Sequence, residues 1–302
     1  MTEGPRICDY GDSTYRQDFW EGQGRAYEDA VERGVLKQLL PAGGRRLLEI
    51  GAGYGRITDE YEMFEQVVLL DYSLEQLQYA RAKFGDDGYF YVAANAYRMP
   101  FQPAVFDAAT MIRVIHHFEN VPAVLDQIRR VLPERGQFIL EYANKRNLKA
   151  MLRHLLGMNE WNPYTPSPVE FVELNFNFHP DYMVSQVTSL GFDVLRVVPV
   201  SWFRLGLLKR WLPTRLLAAS DALLQRSGWT IAPSVFLDLR LKDASHSRAL
   251  SPAADAIDIL RCPRSGAHLQ EVGDTLIGDS GIRWAIRDGV YDFRQPLDQG
   301  VN

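Results

Sequence analysis

Short apolar runs alternate with longer amphipathic stretches between residues 45 and 143. RRLLEIG (45–51), QVVLLDYS (66–73), YFYVAANA (89–96) and GQFILEYA (136–143) are apolar runs of strand length, and FDAATMIRVIHHF (106–118) holds another. Between them, SLEQLQYARAKF (73–84) predicts a helix with Ser73 at its N-cap. VPAVLDQIRRVLP (121–133) predicts a second, with Val124, Leu125, Ile128, Val131 and Leu132 at helical spacing. Residues 14–40 read as a further helix, stopped by Pro41, Gly43 and Gly44. Apolar strands alternating with helices predict an α/β fold whose doubly wound, mostly parallel sheet is covered on both faces.

After Ala143 the rhythm breaks. Residues 146–178 mix aromatic, proline and basic positions, HPDYMVSQVTSLGF (179–192) resumes as a helix closed by Gly191, and FDVLRVVPV (192–200) is a strand. Residues 201–232 read as an insertion that Pro213 divides into two short helices, and SVFLDLRLK (234–242) is a last strand. A seven-stranded sheet is therefore expected over 1–243, with lid insertions at about 146–178 and 201–232. Residues 243–254 read as a linker, and 255–296 as a small, separate β-rich unit.

Composition narrows the picture. A chain of 302 residues, 46% hydrophobic, suits a globular protein with a sizeable core. A formal charge of −5 argues against an extended nucleic-acid footprint. Within 199–232, however, Arg204, Lys209, Arg210, Arg215 and Arg226 face only Asp221 and alternate with leucines, Trp202, Phe203 and Trp211. That pattern reads as a solvated lid or as a peripheral membrane contact. Cys8 and Cys262 make no disulfide framework, and neither a signal peptide nor a membrane span is legible, so a cytoplasmic location is expected.

The chemistry concentrates in Leu48-Glu49-Ile50-Gly51-Ala52-Gly53-Tyr54-Gly55, between a strand and a helix. Glycines let backbone approach a ligand closely. The G-x-G-x-G spacing is not the G-x-G-x-x-G that seats a pyrophosphate, and an acid, Glu49, immediately precedes the loop. Asp71 ends the second strand, where an acid can accept from both ribose hydroxyls. Alone, it also reads as an acid at a helix N-terminus beside Ser73; the loop favours the ribose role.

The blocks LLEIGAGYGR (47–56), LDYSLEQL (70–77), AANAYRMPF (93–101), FDAATMIRVIHHF (106–118) and IRRVLPERGQFIL (128–140) together resemble the class I S-adenosylmethionine (SAM) dependent methyltransferases. They are most similar in style to the group that includes the ubiquinone and menaquinone biosynthesis enzymes. The resemblance implies a Rossmann-like methyltransferase fold and SAM as cofactor. It also implies roles. Gly51, Ala52 and Gly53 would pass beside the methionine part, with Glu49 beneath the loop near the amino end. Asp71 would bind the ribose, and Tyr72 would lie against the adenine. Asn95, where the family usually has Asp, would accept from the adenine amino group, and the Ala96 amide would meet the ring. Arg113 would line the methionine end.

A base is needed only if the methyl acceptor must lose a proton. His116 and His117 follow the fourth strand and are candidates, with His117 preferred; the other reading is that they cap or pack the turn. Tyr15, Trp20 and Arg25 are expected to contribute to the acceptor pocket, with aromatics of the first insertion. A small-molecule or lipid-like acceptor is expected. The alternatives are an RNA-directed enzyme, which predicts a continuous basic face that this acidic chain does not advertise, and a non-catalytic SAM-binding scaffold.

ILRCPRSGAHL (259–269) and IRDGVYDF (286–293) resemble the zinc-ribbon-like domain of a eukaryotic methyltransferase activator and its short bacterial relatives. Cys262 stands alone, Ser265 replaces the second ligand, and Gly278 and Gly281 fall near the later ones. Tetrahedral zinc needs about four Cys or His ligands. The expectation is therefore a unit without metal, packed around Leu269, Leu276, Trp284 and Ile286.

Overall fold

A computed structural model of the chain describes residues 5–7, 24–242, 256–279 and 281–297. Strands β1 (Gly44–Ile50), β2 (Phe64–Asp71), β3 (Tyr89–Ala93), β4 (Ala108–Met111) and β5 (Gln137–Ala143) run parallel. A hairpin of β6 (Val169–Val172) and β7 (Asn175–Asn177) stands apart. Strands β8 (Phe192–Val200) and β9 (Ser234–Leu241) complete the expected seven in the order β3-β2-β1-β4-β5-β9-β8, with β9 antiparallel to both neighbours.

Burial explains the continuous apolar runs. The last five residues of β1 and all four of β4 are buried, because helices cover both faces of the sheet. Helix α1 (Ala26–Leu39) buries Val31, Val35 and Leu36, while α2 (Leu74–Phe84) starts at Ser73, whose hydroxyl accepts from the Gln76 amide at 3.3 Å. Helix α3 (Val121–Val131) buries Val121, Val124, Leu125, Ile128 and Val131 on one stripe. Each such side chain contributes roughly 1.5–3 kcal/mol of transfer free energy. Asn120 caps α3 by accepting from the Ala123 amide.

The insertions take definite form. The first contains α4 (Leu148–Leu155) and the β6–β7 hairpin, which the sequence did not suggest. Helix α5 (Pro180–Ser189) follows, with Gly191 at φ 87° ending the segment. The second insertion is α6 (Gly206–Trp211) and α7 (Thr214–Leu224), divided by Pro213 as expected.

One expectation is corrected. The C-terminal unit is not separate. After the short α8 (Ala256–Ile259), strands β10 (Leu269–Val272), β11 (Thr275–Gly278), β12 (Arg283–Arg287) and β13 (Val290–Asp292) extend the same sheet to eleven strands. β13 pairs in parallel with β3, Val290 against Tyr91 and Asp292 against Ala93. The Phe293 amide donates to the Ala93 carbonyl at 2.7 Å, and the Arg261 amide to Pro100 at 2.8 Å. Leu269, Leu276 and Trp284 are buried in a core continuous with Val92, Phe101 and Phe106, while Ile286 is half-buried. An unpaired β3 edge would expose a row of backbone donors and acceptors, and the C-terminal strands cover it. The linker 243–254 falls wholly outside the described residues. Among those described, no cluster of three His, Cys, Asp or Glu could hold a metal ion.

Candidate active site

A crevice opens at the carboxyl ends of β1, β2, β3 and β4, where doubly wound sheets bind ligands. Its glycine loop is shaped by the neighbouring strands. The amides of Gly51 and Ala52 both donate to the Leu70 carbonyl, at 2.7 and 3.2 Å, folding the chain back over the end of β2. Gly51 has φ +69°, and a Cβ there would lie 2.3 Å from Val114 Cγ2, so only glycine fits. Gly53 has φ +54°, and a Cβ there would meet no atom within 4 Å, since it would enter the crevice.

Asp71 holds this loop to the sheet. Its Oδ2 accepts from the Gly53 amide and its Oδ1 from the Ser73 amide, both at 2.8 Å. A carboxylate has about four acceptor positions, so these bonds leave capacity for a diol. Asn95 accepts from the Tyr97 amide at 2.9 Å and thereby caps the 3-10 turn Ala96–Arg98. Ala96 and Tyr97 line the crevice, as does Tyr72.

Beneath the loop, Glu49 is buried and accepts from the Thr58 hydroxyl at 2.6 Å. Burial pushes its carboxyl up to about 8, against the pull of Thr58 and Arg56. A cation brought beside it would reverse that shift.

Arg113, in the left-handed region at φ 61°, links three elements. Its amide donates to Glu141 Oε2 on β5 at 2.8 Å, and its Nε to Glu32 on α1 at 2.6 Å. Arg56 also holds Glu32, at 2.6 Å. Burial alone would raise the Glu32 carboxyl, but the guanidinium groups of Arg113 and Arg56 outweigh it and keep it below the usual range. Glu141, which also accepts from Ser234, is pushed up by burial despite Arg113. Arg204, deep in the same cluster, is brought down to about 10 by burial and by Arg113. A positive φ at a non-glycine residue stores strain of roughly 1–3 kcal/mol, here held by contacts on α1 and β5.

The two histidines divide. His117 lines the crevice, and its Nδ1 lies 2.9 Å from the Leu174 carbonyl at the β6–β7 turn. A carbonyl only accepts, so Nδ1 carries the proton and Nε2 is the basic nitrogen. Burial lowers its affinity for a second proton. His116 is not among the crevice-lining residues; its ring packs 4.1 Å from that of His117, and burial depresses it further.

All nine positions expected to hold the cofactor line this one crevice: Glu49, Gly51, Ala52, Gly53, Asp71, Tyr72, Asn95, Ala96 and Arg113. Of the expected acceptor residues, Tyr15 and Trp20 lie outside the described residues, and Arg25 precedes α1 without lining the crevice. Phe178, expected in the lid, is instead buried beside β5, stacked between Phe176 and Tyr182. Arg6, Ile7 and Arg56 also line the crevice. Sequence carried no local signal for Arg6 and Ile7, since Arg6 is placed by long-range ion pairs to Glu119 and Glu170. Arg56 directly follows the motif glycines and was legible only as part of the family block.

The residues fit SAM. A buried acid waits for a cation, a loop opens where a Cβ would intrude, and an acid at the end of β2 can accept from hydroxyls. Residues 48–140 match the family model described as a methyltransferase domain. Over 168 residues the chain is 27% identical to the ubiquinone/menaquinone biosynthesis C-methyltransferase UbiE of Vibrio parahaemolyticus, covering 50% of this chain and 65% of the relative. It is 28% identical over 131 residues to the 27-O-demethylrifamycin SV methyltransferase of Amycolatopsis mediterranei, covering 40% and 48%. The chain thus spans about half to two thirds of the length of these curated relatives. A SAM-dependent methyltransferase structure from Thermotoga maritima shares the fold with TM-score 0.55 at 19% identity, over 77% of this chain and 98% of that one. Strand order, crevice and family match converge: residues 48–140 match the methyltransferase domain family, within a fold shared with a SAM-dependent methyltransferase structure.

Proposed function

We propose that this chain is an enzyme that methylates a small-molecule or lipid-like acceptor, using SAM held in the crevice. The observation that carries the reading is the joint placement of Glu49, Gly53, Asp71 and Asn95 around one opening, with His117 on the same wall. Relatives named for ubiquinone/menaquinone biosynthesis and for 27-O-demethylrifamycin SV support an acceptor of this class.

When bound, SAM supplies a methyl group already activated on a sulfonium, available for in-line displacement by an acceptor. The chain's own work is then alignment and exclusion of water. Asp71 would accept from the sugar hydroxyls while it keeps the loop in register through Gly53. Glu49 would face the cofactor's positive charge in a buried setting, where an ion pair is strong. Arg113 fixes the end of β4 against α1 and β5. His117, neutral near pH 7 and oriented by the Leu174 carbonyl, takes the acceptor's proton where one is lost.

Calorimetry and thermal shift with S-adenosylhomocysteine, followed by an activity screen of extracted lipids, quinone precursors and RNA, test the reading. Tight binding with turnover of a lipid or quinone precursor is expected. Binding without turnover of any pool removes the enzyme reading, and turnover of RNA alone replaces the acceptor class.

A further inference from the structure

Two segments that the cofactor crevice does not use share an unusual property. Helix α4 points a leucine stripe outward: Leu148, Leu152 and Leu155 recur at helical spacing, all exposed, Leu155 at 81%. On α6, Leu207 and Trp211 sit one turn apart and are exposed at 71% and 74%. Exposed apolar residues on soluble surfaces are ordinarily scattered singly. Here they fall on consecutive helical turns.

Both segments spring from one rim of the sheet. Helix α4 follows the carboxyl end of β5, and α6 and α7 connect the end of β8 to the start of β9. Ser234 pairs with Ala143 of β5 on one side and with Val200 of β8 on the other. The Leu148 amide donates to the Ile231 carbonyl at 2.8 Å, which brings exposed Trp229 close to the start of α4. Since β5 and β8 run in the same direction as β1 and β4, this rim also carries the glycine loop and the His117 turn.

The charge exposed on α4 and along the α6–α7 insertion has one sign. Residues 144–158 contain no Asp or Glu. Residues 199–232 contain only Asp221, which is buried and accepts from Tyr27. Lys149, Arg153, Arg210, Arg215 and Arg226 are exposed among the leucines. On a chain of net charge −5, this apolar and cationic rim complements an anionic lipid surface. A symmetric contact with a second copy would instead set these cations against their own images.

We propose that this rim docks on an anionic lipid bilayer, with Leu155, Leu207 and Trp211 entering the interface while Lys149, Arg153, Arg210 and Arg215 meet the headgroups. No helix among the described residues is long and apolar enough to cross a membrane, so the contact is peripheral. Docking turns the crevice end of the sheet toward the bilayer. The inference goes beyond the methyltransferase reading and does not depend on it.

Flotation of the full chain with phosphatidylglycerol–phosphatidylcholine vesicles, against phosphatidylcholine alone, tests it. Binding to the anionic vesicles only, weakened by salt, is expected. Arg153→Glu with Arg215→Glu should weaken binding by roughly fivefold or more per charge. Leu155→Asp with Trp211→Asp should abolish it, with the Ser pair as a milder version, and Val272→Asp on β10 should leave it unchanged. The S-adenosylhomocysteine thermal shift, unaltered in all of these, reports that they fold. The proposal is overturned by absent binding, by equal binding to both vesicle types, or by binding that survives both sets of substitutions. It is also overturned if the free chain is a dimer that the Leu155→Asp/Trp211→Asp pair dissociates, which would make the rim a contact between copies.

Discussion

The Asp71 carboxylate accepts from the Gly53 amide at 2.8 Å, joining the second strand to the loop that follows the first. One acid thus shapes the loop and faces the crevice. Asp71→Ala should therefore lower affinity for S-adenosylhomocysteine more than loss of ribose contacts alone. Hydrogen bonds to charged groups contribute about 1.5–3 kcal/mol, so a loss of roughly ten- to a hundredfold is expected by calorimetry. Unchanged affinity in the variant would remove the ribose assignment.

Glu49 predicts a pH dependence with two signs. Its value when folded, about 8, is above its ordinary 4.5, so the folded chain holds a proton that the unfolded chain releases between those values. The stability this provides is complete below about pH 4.5 and is lost as pH rises through about 8. Binding runs the other way, because the ammonium end of the ligand's amino-acid part favours the ionised acid beside it. Affinity for S-adenosylhomocysteine should rise from pH 6 to about pH 8. Glu49→Gln should flatten that rise, bind more weakly and melt higher than the parent above about pH 8 without ligand. Parallel pH curves for parent and variant would contradict this.

His117 and His116 should separate kinetically. For an acceptor that loses a proton, His117→Ala is expected to lower kcat by about 10²–10⁴ with little change in KM. The parent rate should hold on the acid side to below pH 6.5, since burial lowers the His117 value. His116→Ala, away from the crevice, should act on stability instead. Equal kcat losses in the two variants would remove the assignment of His117 as base.

The shared core predicts a single melting transition. Trp284 is buried in contact with Phe293, in the cluster that also holds Val92 and Phe101. Trp284→Ala should cost about 3–5 kcal/mol and lower the midpoint for the whole protein, followed by calorimetry and by the ligand-induced shift. Two transitions, of which only one moves, would show an independent C-terminal unit.

Local chemistry made much of this legible. The apolar runs of β1, β2, β4 and β5 are buried on both faces, so their sequence alone marks them. Ser73 and Pro213 act within a turn of their own positions and were found where expected. The nine crevice residues sit at strand ends inside recognisable blocks. Misses arose where distant segments meet. Nothing near Val290 announces that it will pair with Tyr91. Nothing near Arg113 announces Glu32 as its partner, because the pairing depends on where α1 lands. The β6–β7 hairpin is short and nowhere buried along its strands, with too little apolar alternation to stand out.

The pairing of β13 with β3 also sets an order of events during synthesis. Tyr91 and Val290 are roughly 200 positions apart, so at roughly 5–20 residues per second the third strand emerges roughly 10–40 s before its neighbour. Through that interval the nascent sheet shows a naked flank beside the Ala96–Arg98 turn. Completion of this side of the sheet therefore waits for a strand made much later. A message cut short before codon 290 would yield a product whose bare flank invites association with other chains.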